Sequence, residues 1–422
     1  TVDSNVHFTL NFWIKRAMLG GDLPTGSTRA STWFTPRSGT STSVLHEFRF
    51  ANPPSNGAGD SLNITNTNTA QYIISTDNLF RDTNGWYNIH MQFDLDNGTA
   101  SEKIKFFING TEASYNVDNR SSYSSFAGIA AGAWTIGDYY NYGYAAEQYL
   151  AQWAYVDGYT HPPTDFGESK NGVWIPKDLS SGITWGSAGH LLDFADSSAL
   201  GNDVSGNNND WTTANIDTHD QMLDSPTFGS SSNGGNFATI GGLENNTGGF
   251  TFSECNLKYA VGTNNRGFIA SQGVPESGKY YWEVRVTQFG GSEDQIFLGV
   301  CDPDKSRGNL TASRGGAETS GAGNYVFDNY NGRANLDGTA QSNDSIGHAR
   351  SVPQTFGVAV DRDNNTFKWT YDGSTYSSTY AIPSSGVLAP FIGSGGGSNT
   401  ASGVFNFGAD STFAGLVTAG GN

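Results

Sequence analysis

The chain has 422 residues and a formal net charge of −18, and only 15% of its residues are charged. Glycine occupies 55 positions and aromatic residues make up 13%, a combination typical of short strands joined by tight turns. Without a basic stripe this acidic chain is excluded as a nucleic-acid-binding protein. The longest weakly polar run, residues 126–136, is shorter than the ~20 residues of a membrane-spanning helix, so no membrane insertion is expected.

Apolar residues alternate with polar residues along the first 160 positions, which predicts strands that bury one face. In 86–95, for example, Tyr87, Ile89 and Met91 point inward while Asn88 and His90 point outward. Asn-Gly at 109–110 is a strong hairpin signal. The strands predicted in this part of the chain are 6–14, 86–95, 103–108, 134–137 and 149–156.

A His-Pro-Pro sequence at 161–163 marks the end of this part, and the next stretch is mixed in character. It contains strand-like pieces at 172–176 and 190–194, followed by segments rich in Ser, Gly and Asn that indicate loops. The sequence therefore predicts a first domain at 1–162 and a connector with strand-like pieces at 163–249.

Alternation returns in the last part of the chain, at 279–287 and 355–360, and 296–300 is almost continuously apolar. The turn at 361–365 leads into 367–371 and so predicts a hairpin. Since apolar spacing of three and four is missing, no helix longer than one or two turns is expected. The predicted fold class is all-β, with two β-sandwiches in tandem and a second domain at 250–422.

Sequence motifs in the first part resemble the laminin-G-like branch of the concanavalin A-like fold. The motifs are Phe-Thr-Leu-Asn-Phe-Trp-Ile-Lys at 8–15, Trp-Tyr-Asn-Ile at 86–89 and Lys-Phe-Phe-Ile-Asn-Gly at 105–110. The resemblance implies a concanavalin-like jelly-roll sandwich. Modules of this kind usually open with one more strand, so we expect the chain to be a piece of a longer protein.

The last part is similar to a SPRY domain, also a concanavalin-like sandwich. Its motifs are Lys-Tyr-Tyr-Trp-Glu-Val at 279–284, Phe-Leu-Gly-Val at 297–300, Phe-Gly-Val-Ala-Val-Asp at 356–361 and Phe-Asn-Phe-Gly at 405–408. With Gly-Val-Trp-Ile-Pro-Lys at 172–177 between the two parts, the chain resembles virion structural proteins of tailed bacteriophages, especially marine ones. This resemblance implies a protein at the virion surface, such as a tail or head fibre.

The resemblance leaves three functions open. The first is non-catalytic adhesion to a glycan or protein of the host cell surface, and the second is a structural role in capsid decoration or a fibre shaft. Either role implies contacts with other virion proteins and a homo-oligomer such as a trimer. The third, a divergent glycanase, needs paired carboxylates on one strand, whereas Glu283 stands alone on its strand. No catalytic residue is therefore predicted.

An aromatic cluster between two predicted strands is the candidate ligand-binding site. Exposed tyrosine rings can stack on sugars while Asp and Asn side chains bond to sugar hydroxyls; the alternative is that these tyrosines pack into the sandwich or against a neighbouring subunit. The candidate residues are Asp138, Tyr139, Tyr140, Asn141, Tyr142 and Tyr144.

A polar loop at 203–210 is the candidate metal site. Side-chain oxygens of Asp203, Asn207 and Asp210 around a glycine could ligate calcium, a hard cation that prefers six to eight oxygens. The alternative is a tight turn in which these side chains bond to their own backbone. Calcium is thus the one cofactor that the sequence suggests.

Overall fold

Antiparallel strands form nearly all of the regular structure in the computed structural model. The structure describes residues 3–17, 19, 31–37, 46–50, 60–66, 71–130, 133–138, 147–227, 235–241, 250–262, 266–290, 295–347, 350–394 and 400–418. The chain divides into two units, Thr1–Asn236 (unit 1) and Phe237–Asn422 (unit 2). No helix in the described residues has the length and apolar character needed to cross a membrane.

Unit 1 contains two six-stranded sheets and a two-stranded hairpin. Its strands are β1 (His7–Arg16), β2 (Ser31–Arg37), β3 (His46–Phe50), β4 (Ser61–Asn66), β5 (Gln71–Leu79), β6 (Tyr87–Asp94), β7 (Ile104–Ile108), β8 (Thr111–Glu112), β9 (Tyr115–Asp118), β10 (Ala133–Ile136), β11 (Gln148–Asp157), β12 (Gly167–Lys170), β13 (Val173–Pro176) and β14 (His190–Leu192). The strand orders are β14-β11-β1-β6-β7-β8 and β10-β2-β3-β4-β5-β9, and β12 pairs with β13. Short helical segments are α1 (Ala127–Ala130) and the 3-10 turns Ala100–Glu102, Arg120–Ser122 and Pro163–Asp165.

The core of unit 1 lies between its two six-stranded sheets and is rich in aromatic rings. The alternation of β1 sends Phe8, Leu10, Phe12 and Ile14 into this core. Contacts between the sheets include Phe12 with Trp33, whose ring centroids are 4.7 Å apart. Burial of these rings supplies the main driving force for pairing the two sheets.

The outer face of the first sheet is also covered, which the alternation of its strands does not predict. Asn88 and His90 on β6 point away from the core as expected, yet both are fully buried. Trp174 of β13 donates a hydrogen bond to Asn88 Oδ1 at 3.0 Å, and the His161 carbonyl lies 2.9 Å from His90 Nε2. Residues that follow β11 therefore cover this face of the sheet, through hydrogen bonds to Asn88 and His90 and through apolar contacts such as that of Phe166.

Of the residues predicted as a connector, the described ones at 163–227 and 235–236 belong to unit 1. Strand β14 pairs with β11, so it extends the first sheet, and Trp211 packs against the core. Further along, the Asp224 carboxylate lies 2.7 Å from Lys15 Nζ, and both side chains are fully buried. The strand-like pieces predicted at 172–176 and 190–194 correspond to β13 and β14.

Unit 2 is built from a seven-stranded and a six-stranded sheet. Its strands are β15 (Phe250–Ser253), β16 (Lys258–Val261), β17 (Gly267–Ile269), β18 (Lys279–Gly290), β19 (Ile296–Cys301), β20 (Asn324–Asp328), β21 (Arg333–Leu336), β22 (Thr339–Asn343), β23 (Gln354–Asp361), β24 (Thr366–Thr370), β25 (Tyr380–Ala381), β26 (Ala389–Ser394) and β27 (Thr400–Asn406). The orders are β15-β16-β27-β18-β23-β24-β25 and β17-β26-β19-β20-β21-β22. Helix α2 (Pro303–Ser306) and the 3-10 turns Arg307–Asn309 and Ser313–Gly316 lie between β19 and β20.

The two sheets of unit 2 also enclose an apolar core. Trp369 of the seven-stranded sheet stacks on Phe327 of the six-stranded sheet with ring centroids 5.1 Å apart. On its other face the six-stranded sheet carries Phe297 and Phe391, which cluster with Leu310 from the segment after β19. Two antiparallel β-sandwiches in tandem are thus the observed fold, as the sequence predicts.

Candidate functional site

The predicted aromatic site at 138–144 falls largely outside the described residues. Asp138 follows β10 and is half-buried, and its backbone carbonyl accepts a hydrogen bond from the Thr35 hydroxyl at 3.4 Å. The other five candidates, Tyr139, Tyr140, Asn141, Tyr142 and Tyr144, are not among the residues that the structure describes. Ligand binding by this cluster stays a prediction.

The predicted calcium loop is organised around the buried carboxylate of Asp203. This carboxylate accepts hydrogen bonds from the backbone N–H groups of Leu191 (2.9 Å), Ser205 (2.8 Å) and Asn209 (2.9 Å), and from the Ser205 hydroxyl (2.9 Å). Burial alone would raise the pKa of Asp203, but these donors lower that pKa below its ordinary value. The Asp203 oxygens thus face N–H donors, which is the arrangement of a hydrogen-bonded turn.

Asn207 and Asp210 contribute to the same hydrogen-bonded loop. Asp210 Oδ1 accepts a hydrogen bond from the Asp203 backbone N–H at 2.9 Å. The Asn207 side-chain amide donates to the carbonyls of Gly186 (2.7 Å) and Gly189 (2.8 Å), so it ties the loop to the chain before β14. An N–H donor cannot ligate a cation, and calcium binding would require these bonds to rearrange. Calcium at Asp203, Asn207 and Asp210 stays a prediction.

An exposed aromatic surface on unit 2 is a candidate site that the sequence analysis did not identify. Along β18 the side chains of Trp282, Val284 and Val286 are buried, so Tyr281 and Glu283 lie on the opposite face of the seven-stranded sheet. Tyr281 is 44% exposed, so its ring is open to solvent on this face. We call this surface the Tyr281 face and define it by Tyr281, Glu283, Gly357, Lys368 and Tyr376.

Gly357 on the neighbouring strand β23 allows the Tyr281 ring to lie across the sheet. Strand β18 pairs with β23 so that Glu283 lies opposite Gly357, and Tyr281 is its diagonal neighbour. A Cβ atom at position 357 would come within 2.2 Å of the Tyr281 hydroxyl and 2.7 Å of Thr370 Cγ2. Only glycine therefore leaves room for this ring position, and the ring covers the glycine backbone.

Charged groups hold both tyrosines of the Tyr281 face. The Tyr281 hydroxyl donates to Glu283 Oε1 at 2.8 Å. Partial burial and then this bond to the Glu283 carboxylate raise the pKa of Tyr281, so its hydroxyl stays protonated. Lys368 Nζ lies 4.2 Å from the centre of the Tyr376 ring, which is a cation–π contact. Each tyrosine of the Tyr281 face thus contacts a charged neighbour.

The Tyr281 face combines properties that favour molecular recognition. Rigid tyrosines supply contact area at a small cost in side-chain entropy, and charged residues of both signs beside them add directional contacts. In the sequence, the available signal was the alternation at 279–287, which places Tyr281 on the solvent face. The partner strand that completes the surface could not be inferred, because its register depends on residues far along the chain.

Comparison with known proteins identifies a family for part of unit 2. The sequence profile of the SPRY domain matches residues 279–410. Similar solved structures include the SPRY domain of human HERC1, with 13% identity, a TM-score of 0.28 and coverage of 36% of this chain and 88% of that chain. The PSpry domain of TRIM65 has 14% identity, a TM-score of 0.30 and coverage of 40% and 91%. For stonustoxin the identity is 15%, the TM-score 0.29 and the coverage 39% and 26%.

These similarities differ in what they establish. TM-scores at this level establish no shared function, and no curated protein matches the chain. The SPRY profile is more informative, because its matched range contains every residue of the Tyr281 face. The laminin-G resemblance of the first part and the phage resemblance stay predictions. Residues 279–410 of unit 2, however, constitute a SPRY domain, as their motifs predict.

Proposed function

We propose that the protein is a non-catalytic binding protein whose SPRY domain holds a protein partner against the Tyr281 face. The observation that carries this proposal is the exposed Tyr281 ring, which Gly357 and Glu283 fix in place within the SPRY match. SPRY domains are protein-interaction modules, so the match favours a polypeptide over a glycan as the occupant.

The charges of the surface describe the partner more closely. Lys368, which lies against Tyr376, is the cationic group of the Tyr281 face, and the Glu283 carboxylate of the same face accepts a hydrogen bond from Tyr281. A segment that places an apolar or aromatic residue on the tyrosine rings and an acidic residue beside Lys368 fits this arrangement. Such a contact resembles the tyrosine- and arginine-rich centres of protein interfaces.

Catalysis is not part of the proposal. A glycosidase needs two carboxyl groups about 5–10 Å apart that flank the scissile bond. Of the five residues that form the Tyr281 face, Glu283 alone carries a carboxylate. This carboxylate accepts a hydrogen bond from the Tyr281 hydroxyl. The Tyr281 face therefore lacks the second carboxyl group that glycoside hydrolysis requires.

The proposed setting is the virion surface of a tailed bacteriophage, where the protein attaches to host cells. It is supported by the sequence motifs at 8–15, 172–177 and 279–284, whose succession resembles that of phage structural proteins. Within this proposal unit 1 is a laminin-G-like sandwich, and its two six-stranded sheets with an aromatic core are compatible with such a module. The protein is a homo-oligomer, such as a trimer, within a fibre or decoration.

A cell-binding assay with the labelled full chain tests this function. The chain is applied to a panel of marine bacterial isolates, untreated, treated with protease, or treated with periodate to oxidise glycans. We expect binding to at least one isolate that protease abolishes and periodate spares. Loss on periodate alone would contradict a protein partner and identify a glycan. Absence of binding to every isolate, with capture of other virion proteins instead, would replace adhesion by the structural role.

A further inference from the structure

Three side chains that can ligate a metal meet at one end of the first sheet of unit 1. His7 is the first residue of β1 and Asp94 is the last residue of β6, and the two are directly paired across the sheet. Asp96 lies in the turn that follows, and the backbone N–H of Leu95 bonds to the Val6 carbonyl at 3.1 Å. Two adjacent strands therefore set the positions of all three side chains.

The three side chains converge on one point in space. His7 Nε2 lies 2.8 Å from Asp96 Oδ1 and 3.1 Å from Asp94 Oδ1. All three ligand atoms lie within 4.8 Å of one another. The other oxygen of Asp94 accepts a hydrogen bond from the Asn97 side-chain amide at 2.9 Å, which orients the carboxylate. The His7 and Asp94 side chains are about one-third exposed, so an ion can enter from solvent.

We propose that His7, Asp94 and Asp96 form a zinc-binding site. Zinc binds imidazole nitrogen and carboxylate oxygen at roughly 2.0–2.2 Å in tetrahedral geometry, so two of its ligands lie about 3.3 Å apart. The distances from His7 Nε2 to the two carboxylates are close to that edge, and small side-chain shifts admit the ion. The ion would occupy the space between the imidazole nitrogen and the two carboxylate oxygens.

One imidazole nitrogen and two carboxylate oxygens favour zinc over calcium or magnesium at this site. Calcium and magnesium prefer all-oxygen sets, whereas an imidazole nitrogen favours zinc and its transition-metal neighbours. Two carboxylates neutralise the charge of a divalent ion, and three protein ligands leave the fourth tetrahedral position for water or for a group from another molecule. The site belongs to unit 1 and is independent of the partner proposed for the Tyr281 face.

Calorimetric titration of the chelator-treated full chain with zinc chloride tests this site. We expect one equivalent to bind, a rise in the thermal stability of the chain with zinc, and affinity at least tenfold weaker in His7→Asn and in Asp96→Asn. Asp96 is mostly exposed, so Asp96→Asn keeps the fold, and circular dichroism without zinc verifies this for both variants.

The matched control is Asp165→Asn, which removes the carboxylate that lies 2.8 Å from His161 Nδ1 in another His–Asp pair of unit 1. This variant should bind zinc as the unmodified chain does. Absence of stoichiometric binding in the unmodified chain would overturn the proposal. Equal binding by the unmodified chain and by folded Asp96→Asn would also overturn it, because the zinc would then lie elsewhere.

Discussion

His90 illustrates how a single polar residue is constrained inside a sandwich. Its ring is fully buried between Phe107 and Phe166, its Nε2 bonds to the His161 carbonyl, and its Nδ1 has no hydrogen-bond partner among the described residues. A proton on Nδ1 would place a charge in this apolar environment without an acceptor. Burial accordingly lowers the pKa of His90 to about 3.

This pKa predicts that acid destabilises unit 1. The unfolded chain takes up a proton on His90 as the pH falls below about 6.5, whereas the folded chain takes it up only near its own lower pKa, so stability is lost across that interval. At about pH 5 the loss from His90 amounts to roughly 2 kcal/mol. The variant His90→Gln keeps a donor for the His161 carbonyl. Chemical denaturation at about pH 7 and pH 5 should show that its free energy of unfolding falls by roughly 2 kcal/mol less than that of the unmodified chain.

The control for this prediction is His219→Gln, in a largely exposed segment of unit 1. It should lose as much stability on acidification as the unmodified chain. If His90→Gln and the unmodified chain lose equal amounts, the charged form of His90 is accommodated in the fold and the explanation from burial is wrong.

At the scale of elements, the contact between β18 and β23 predicts a measurable coupling. Gly357→Ala places a methyl group against the Tyr281 hydroxyl and Thr370, so it should destabilise the chain by about 1–3 kcal/mol. In a Tyr281→Ala background the ring is gone, and the same glycine substitution should cost clearly less. A double-mutant cycle followed by chemical denaturation measures this difference.

Gly308→Ala is the matched control for that cycle, because a Cβ atom at position 308 would meet nothing within 4 Å. Its effect on the free energy of unfolding should be small and equal in both backgrounds. Additive effects of Gly357→Ala and Tyr281→Ala would show that the ring does not lie across the glycine.

The sequence predicts those properties of a strand that depend on the strand alone. The period-two alternation in β1, β6 and β18 correctly indicated which side chains enter the core, since that property depends on the strand alone. Cover over the outer face of β6 was not predictable, because it comes from residues such as His161 and Trp174 far along the chain. The diagonal contact of Tyr281 with Gly357 was not predictable either, because it depends on the long-range register between β18 and β23.

For the whole molecule, composition and turn chemistry were sufficient to predict two antiparallel sandwiches. The extent of unit 1 was harder to infer, because a polar sequence such as 203–210 looks like a linker although its side chains bond to the folded chain. Asp203 holds the Leu191 backbone N–H, and Asp224 is buried against Lys15. Polar residues that satisfy each other inside a fold have the same composition as residues that face water.

The central claim is that the chain binds its partner through the Tyr281 face of the SPRY domain. Its most direct test compares the double variant Tyr281→Ala/Tyr376→Ala with Tyr159→Ala, which removes an equally exposed tyrosine from unit 1. Both are measured as full chains for binding to the isolate that the unmodified chain binds. The account predicts a loss of roughly tenfold or more for the double variant, because central interface tyrosines contribute most of the binding energy, and no change for Tyr159→Ala. Unchanged binding by the folded double variant would contradict it.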